Sequence, residues 1–406
     1  MTGADAAARA ATLRVPGFRA AGVRCGIKQK GPDVALIVSD VPAVAAGVLT
    51  RSTVPGAPVV VSRESLAKSA RARAIVANSG CSNVAMGARG VRDARAMAAL
   101  AARSLGCSPG EVLVASTGVI GEPLPMTKLR AGIPAAAAAL AEDGLAGAAH
   151  AILTTDTRAK IATRSVRIGG RRVRMAGVAK GSGMVEPNMA TVLCFVITDA
   201  AVTKAFLQRT LGAATDRSLN CLTVDGEGST SDTCFVLANG VARNSTLRAG
   251  SSDGAAAFAA ALTSLLQELT RELARDGEGA TRLVTVRVSG ARSDAEADRA
   301  ARRIANSVLV KTALFGGDAN WGRILQTIGH GRITLDLTRT EVRLAGVPVF
   351  RRGASAGPAA RSRAQARMRA SEVVVEVALG AGKGRAEIWT CDLTYDYVRI
   401  NAEYRT

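Results

Sequence analysis

The chain has 406 residues, 48% apolar and only 3% aromatic, and 53 Lys and Arg against 33 Asp and Glu give a formal net charge of +20. That length supports two or three domains with a sizeable core of Ala, Val, Leu and Ile, and the apolar share excludes a disordered chain. Seven scattered Cys without a C-x-x-C pair argue against a disulfide framework and against a zinc site, so no metal is expected. The densest basic stretch, 350–370, lacks the aromatic interleaving that stacks bases, so it reads as a solvated face and no nucleic-acid partner is expected.

In chain order, the first 18 residues hold no apolar stretch of signal-peptide length, so a cytoplasmic protein is expected. Strand signals appear at 34–38 and 58–61. Residues 91–105 have helical periodicity and stop at Gly106. Residues 112–115 form a short apolar strand, followed by "STGVIGEP" as a loop. Residues 134–145 and 148–153 read as helix, and the Ala-rich run within them is too short to span a bilayer, so no membrane contact is expected. Strands at 165–168 and 171–178 flank Gly169 and Gly170, a hairpin signal. In "MVEPNMATVLCFVITDA", from Met184, a polar loop turns into a buried strand at Thr191. A helix at 202–211 precedes "LTVDGEGSTSD", a Gly-rich polar loop of functional character. Residues 253–275 carry the longest helical pattern, "RLVTVRVSG" reads as a strand, and Ser293 caps a helix to Asn306. "EVVVEVALG" and "AEIWTCDL" read as the last two strands. Strands and helices mix without strict alternation, which predicts an α+β fold. Gly277 and Gly279 suggest a boundary between a main catalytic domain, 1–280, and a C-terminal α/β domain, 281–406.

The usual general base is scarce: the chain has only His150 and His330. Gly353 to Gly357 match G-x-S-x-G, but Pro358 and an Arg-rich segment follow where a nucleophile elbow needs a helix packed behind a strand. "AKGSGM" lacks the order of a phosphate-binding P-loop. An α-amino group, with a reference pKa of about 7.7–8.0, is a suitable base near neutrality, and an N-terminal Thr carries both that amine and a hydroxyl nucleophile. Inside a chain such a Thr must be released by a cut just before it. Ala190, small, and Thr191, at the head of a strand, have the form this needs. The residues alone also fit an ordinary strand start.

Several motifs stand together in order. "GIKQKGPDVALIVSD", "STGVIGEPLPM", "ILTTDT", "GMVEPNMATVLCF", "TVDGEGSTSDT", "LVKTALFGGDANWGRI" and "CDLTYDYVRINAEYRT" resemble the ornithine acetyltransferase family, the glutamate N-acetyltransferases of arginine biosynthesis, from about Gly17 to the last residue. The resemblance implies a layered α/β/β/α-type sandwich around the Thr nucleophile with a smaller C-terminal α/β domain, whose tail returns to the active site. It implies autocatalytic cleavage between Ala190 and Thr191 into two chains, which assemble as an (αβ)2 heterotetramer. It implies a ping-pong reaction in which Thr191 takes acetyl from N2-acetyl-L-ornithine and passes it to L-glutamate. The oxyanion hole falls on Thr117 and Gly118, and the substrate contacts on Thr154, Lys180, Thr191, Glu278, Asn401 and Thr406. Lys180 would hold a carboxylate and Glu278 the ornithine amine, although read alone Lys180 is a solvated loop cation and Glu278 a helix-end carboxylate. No cofactor is implied. Acetyl-CoA is a further donor in some members, and no separate CoA motif is visible here. Val192 in place of the more usual Met, and "NSGCSN" in place of N-S-G-N-A-N, depart from the family pattern. Two other readings stand beside this one: an N-terminal-Thr amidohydrolase or aminopeptidase on the same fold, with water as the acceptor, and a non-enzymatic basic binding protein.

Overall fold

Alternation along the strands determines the layers. The computed structural model describes residues 13–186, 192–250 and 254–403. Among them an eight-stranded sheet runs in the order β4-β3-β2-β8-β7-β6-β5, with β1 (Phe18–Val23) antiparallel on β2. Its strands are β2 (Val34–Leu49), β3 (Arg71–Cys81), β4 (Val112–Val119), β5 (Lys160–Ile168), β6 (Arg171–Lys180), β7 (Leu193–Thr198) and β8 (Thr233–Ala238). The long β2 joins the two halves: its first part pairs with β3, its register shifts between Val38 and Ala43, and its last part pairs with β8.

The odd-numbered Ala35, Ile37, Ala43 and Ala45 of β2 face one core on both sides of the exposed Val41, and share it with Ile75 and Leu113 from one half and Phe195, Ile197, Phe235 and Leu237 from the other. Phe195 and Phe235 stack there with centroids 6.1 Å apart. The even-numbered residues change partner along the strand. Val34, Leu36 and Val38 pack with α1 (Ala57–Lys68), α2 (Gly87–Leu105) and α3 (Met126–Ala138), whereas Ala46 and Val48 join the core under α5 (Lys204–Asp216) and α6 (Ala255–Arg275). The bent sheet therefore packs its two halves face to face with a helical layer outside each, an α/β/β/α arrangement. The helix α4 (Leu145–Ala151) contributes Leu145, Ala148 and Ala149 to the middle core.

A second sheet has the order β12-β11-β10-β13-β9-β14: β9 (Leu283–Ala291), β10 (Glu341–Leu344), β11 (Val347–Arg351), β12 (Ala354–Ser355), β13 (Glu372–Ala378) and β14 (Gly384–Cys391). One face packs on α7 (Asp294–Asn306), α8 (Val308–Gly316), α9 (Trp321–His330) and α10 (Pro358–Arg367). Leu283, Trp389 and Cys391 join the core under α6, so the two sheets share apolar packing. The chain closes on α11 (Tyr395–Glu403). No described helix is long and apolar enough to cross a membrane.

Three elements differ from the sequence reading. Residues 58–61 lie in α1, because Pro58 stands in its first turn, where its missing N–H costs nothing, and both Val59 and Val61 are buried, Val61 in the core with α2 and α3. β4 continues through Thr117 and Gly118, because residues 78–81 of β3 keep pairing with it. The third helix begins at Met126 and takes in Pro134, held by burial of Leu129, Ile133 and Ala136; a separate helix starts at Leu145. The hairpin across Gly169 and Gly170, the stop at Gly106 and the Ser293 cap, which accepts from the Glu296 amide at 3.2 Å, are as read.

Candidate active site

Strand ends from both halves of the first sheet open on a cavity of about 350 Å³. β4 brings Thr117 and Gly118, β6 ends in Lys180, and Val192 leads into Leu193, the first residue of β7. The turn after α4 supplies Thr154, the loop before β8 supplies Asp225 and 227–232, the turn after α6 supplies Glu278, and α11 supplies Tyr397 and Asn401. Six of the expected positions, Thr117, Gly118, Thr154, Lys180, Glu278 and Asn401, thus line one space. Ala190, Thr191 and Thr406 lie outside the described residues; Val192, next in chain to Thr191, lines the cavity.

Lys180 is no solvated loop cation. It closes a sheet strand, is nearly buried, and donates to the hydroxyls of Thr154 at 2.7 Å and Thr117 at 3.4 Å. Each hydroxyl oxygen accepts from the ammonium, so its own proton is free to point elsewhere. Burial lowers the Lys180 pKa, and Lys160 adds to this, while Asp156, Glu278 and Asp232 oppose it. Gly118 has φ +121°, and a Cβ there would stand 2.5 Å from the carbonyl carbon of Gly80, so only glycine fits between β3 and β4. A backbone N–H and a hydroxyl at such a place suit a developing oxyanion.

Glu278 is buried and its Oε2 accepts from Asn401 Nδ2 at 2.8 Å, which ties the C-terminal helix to the cavity. Asp225 accepts from the amides of Met184 at 2.7 Å and Val185 at 2.8 Å, fixing the backbone that leads toward Thr191. Just past Thr191 in the chain, the Thr233 N–H donates to the Val192 carbonyl at 2.9 Å. Burial raises the Asp232 carboxyl well above the usual range, against hydrogen bonds from Ser229 and the Val192 amide and the charge of Lys180. Burial, with Asp225 and Glu278, also raises the Tyr397 hydroxyl. Asp156, Asp225, Asp232 and Tyr397 stood inside quoted motifs, but nothing in their spacing marked them as site residues.

Neither histidine lines the cavity. His150 sits exposed on α4 with Nδ1 2.8 Å from the Ala146 carbonyl, and His330 ends α9. Ser355 of the G-x-S-x-G match is exposed on β12 and accepts from the Gly357 amide at 3.2 Å; contrary to the sequence reading a helix, α10, does follow from Pro358, which Pro suits at its first turn, but Ser355 does not line the cavity.

The model of the ArgJ family matches residues 19–406. The arginine biosynthesis bifunctional protein ArgJ of Geobacter sulfurreducens is 48% identical over 395 residues, covering 97% of this chain and 100% of its own. The protein of the same name from Symbiobacterium thermophilum is 50% identical over 395 residues, covering 96% and 97%. Among solved structures, an ArgJ chain from Bacillus halodurans is 40% identical over 51% of this chain and 96% of its own, with a TM-score of 0.49. A chain of the ornithine acetyltransferase of Mycobacterium tuberculosis, solved with ornithine, is 36% identical over 44% and 95%, with a TM-score of 0.39.

Proposed function

The chain belongs to the ArgJ family, acyltransferases of arginine biosynthesis, and from that premise we propose that it carries acetyl from N2-acetyl-L-ornithine to L-glutamate through an ester on Thr191. The observation that carries the proposal is the convergence of Thr117, Gly118, Thr154, Lys180, Glu278 and Asn401 on one cavity beside Val192.

The chain first cuts itself. Thr191 Oγ attacks the Ala190 carbonyl, the acyl group moves from nitrogen to oxygen, and water releases it, which leaves a free Thr191 amine. That amine, with an ordinary pKa of about 7.7–8.0, then takes the hydroxyl proton as Oγ attacks the acetyl carbonyl. The oxyanion is met by the Thr117 hydroxyl and the Gly118 N–H. The proton passes to the departing ornithine nitrogen. Glutamate attacks the ester by the same path in reverse. Removing one oxyanion donor typically costs about 10²–10³ in rate.

The charges of the cavity support amino-acid substrates. Lys180 is the one cation among its described lining residues, and Asp225, Glu227, Asp232 and Glu278 are its carboxylates. Lys180 suits the α-carboxylate that both substrates share, and Glu278 the ornithine side-chain amine. Acetyl-CoA is a second donor in this proposal, and the two chains stay together and pair as (αβ)2 in the cytoplasm.

Intact mass spectrometry of the wild type and of Thr191→Ala tests the cut: two fragments divided at Ala190–Thr191 are expected in the first and one chain in the second. Isotope-labelled acetylornithine tests the acceptor. A wild type that stays whole, or label that reaches water rather than glutamate, overturns the proposal.

A further inference from the structure

Behind Lys180 lies a row of buried charges that none of the carried-over positions includes. Asp156 Oδ2 is 3.8 Å from Lys180 Nζ. Asp156 Oδ1 is 2.5 Å from Lys160 Nζ, which is also 2.5 Å from Asp276 Oδ2. The Asp156 and Lys160 side chains are wholly buried. Asp156 also accepts from the amides of Gly181, at 2.8 Å, and Thr154, at 3.2 Å. At the inner end, Asp276 accepts from the Thr157 amide at 3.1 Å and from the Thr157 hydroxyl. The row thus anchors the turn that carries Thr154 and the turn that carries Glu278, as well as Lys180 itself.

Stability does not explain such a row. Buried ion pairs are often no more stabilising than apolar replacements of the same volume. Its position explains it better. Lys180 must stay cationic in a site where burial and the neighbouring Lys160 both favour the neutral amine. We propose that Asp156 is the positioning residue that keeps Lys180 cationic and aimed at the substrate carboxylate, and that Lys160, by sharing Asp156, sets how strongly it does so. The charged groups facing Lys180 are Asp156 from the turn before β5, Lys160 from β5, Glu278 from the turn after α6, Asp232 from the turn before β8, and Lys28 from the loop before β2. Of the carboxylates among them, only Asp156 lies within 4 Å of its ammonium. For Asp156 itself, burial alone would raise the carboxyl, but the charges of Lys180 and Lys160 and the Lys160 and Gly181 hydrogen bonds hold it at about 2. It is therefore an anion at every working pH.

The inference rests on the acetyl-transfer reading and is tested on the self-cut enzyme through the pH profile of KM for glutamate. Carboxylate binding by Lys180 is present below its pKa and lost as pH rises through it. Asp156→Asn removes the attracting charge, so the alkaline limb moves down by about one pH unit or more, and KM is higher by about tenfold at a pH above both limbs. Lys160→Met removes a like charge and leaves all of Asp156 to Lys180, so the limb moves up. The acid limb of kcat/KM, set by the Thr191 amine, stays in place. A purely structural role would lower kcat/KM by one factor at all pH values. Unshifted limbs, or limbs that shift in the same direction, overturn the inference while a wild type that acetylates glutamate keeps the reaction assigned. A wild type that does not acetylate glutamate defeats the reading itself. If Asp156→Asn fails to fold, the upward shift in Lys160→Met decides alone.

Discussion

Gly183→Ala separates folding from function at this site. Gly183 lies in the cavity wall beside Glu278, and a Cβ built on it would stand 2.2 Å from Oε2, 2.4 Å from Cδ and 2.6 Å from Oε1. Carbon does not approach other heavy atoms that closely; ordinary contact is about 3.5–4.0 Å. The Glu278 carboxylate must therefore retreat by about 1 Å or more. It can, because it is the far end of a flexible side chain, so the fold loses little. Residue 183 is not among the left-handed glycines, so Ala fits its backbone, and the stiffer unfolded chain contributes about 0.4–1 kcal/mol in favour of folding. The functional cost is of another size. The retreat breaks the 2.8 Å bond from Asn401 and, on the assignment proposed above, withdraws the carboxylate from the ornithine amine. A misplacement of about 1 Å costs on the order of 10² in rate, or about 2.7 kcal/mol of barrier. The assay is kcat/KM for acetyl transfer from acetylornithine to glutamate, beside a thermal melt. The expected result is a melt equal to or above that of the wild type with kcat/KM down about a hundredfold. Wild-type kcat/KM in Gly183→Ala would refute the reasoning, since Glu278 would then have no role that depends on its position.

Gly118→Ala should fail in both respects. Its Cβ would meet backbone atoms that cannot rotate away, Gly80 C at 2.5 Å and Cys81 N at 2.7 Å, and φ +121° adds strain of about 1–3 kcal/mol. A melt several degrees lower and at least a hundredfold loss of transfer are expected, and an unchanged melt would count against the close approach of β3 and β4. Asp232→Asn reports on a buried acid. Its folded pKa is raised, so the folded chain binds more protons than the unfolded one above about pH 4, and stability falls as pH rises toward the folded pKa, by up to about 1.36 kcal/mol per unit. In the uncut Thr191→Ala background, denaturant unfolding across pH 4–8 should show that slope, and Asp232→Asn should flatten it; equal slopes would place the Asp232 carboxyl in water.

Much of the fold was legible where a local rule acts alone. Gly169 and Gly170 marked a hairpin, Gly106 a helix stop and Ser293 a cap, because each depends on a few neighbouring atoms. The misreading at 58–61 arose where tertiary packing outweighs propensity: three valines favour a strand, but Pro58 in the first turn and the burial of Val59 and Val61 favour α1. The site was legible only through motif resemblance. Lys180 looked like a loop cation because nothing in "VAKGSG" says that Asp156, Lys160 and Asp276 will gather behind it. Asp276 is 120 residues downstream of Asp156, and no window along the chain joins them. The even-numbered apolar residues of β2 likewise look alike on either side of Asp40, though Val34, Leu36 and Val38 pack with α1–α3 and Ala46 and Val48 under α5 and α6.

Net charge misleads about the site for a related reason. The chain carries a formal +20, yet its cavity has one lysine against four carboxyl groups. Much of the basic surplus sits elsewhere. Arg287, Arg343 and Arg385 lie on the outer face of the second sheet among Glu341, Glu376 and Glu387, and α10 adds further arginines. Exposed charges more than about 8 Å apart are largely screened at physiological ionic strength, so such arginines have little influence on binding inside the cavity. Within it, balance is set at short range: Asp156 offsets Lys180, burial pushes Asp232 toward its neutral form, and Glu278 is held by Asn401. Asp225 is taken up by the Met184 and Val185 amides and Glu227 is exposed at the surface, so the buried groups left to meet a substrate are Lys180 and Glu278. That pair matches an amino acid with a carboxylate at one end and an amine at the other, a pattern the total charge could not have indicated.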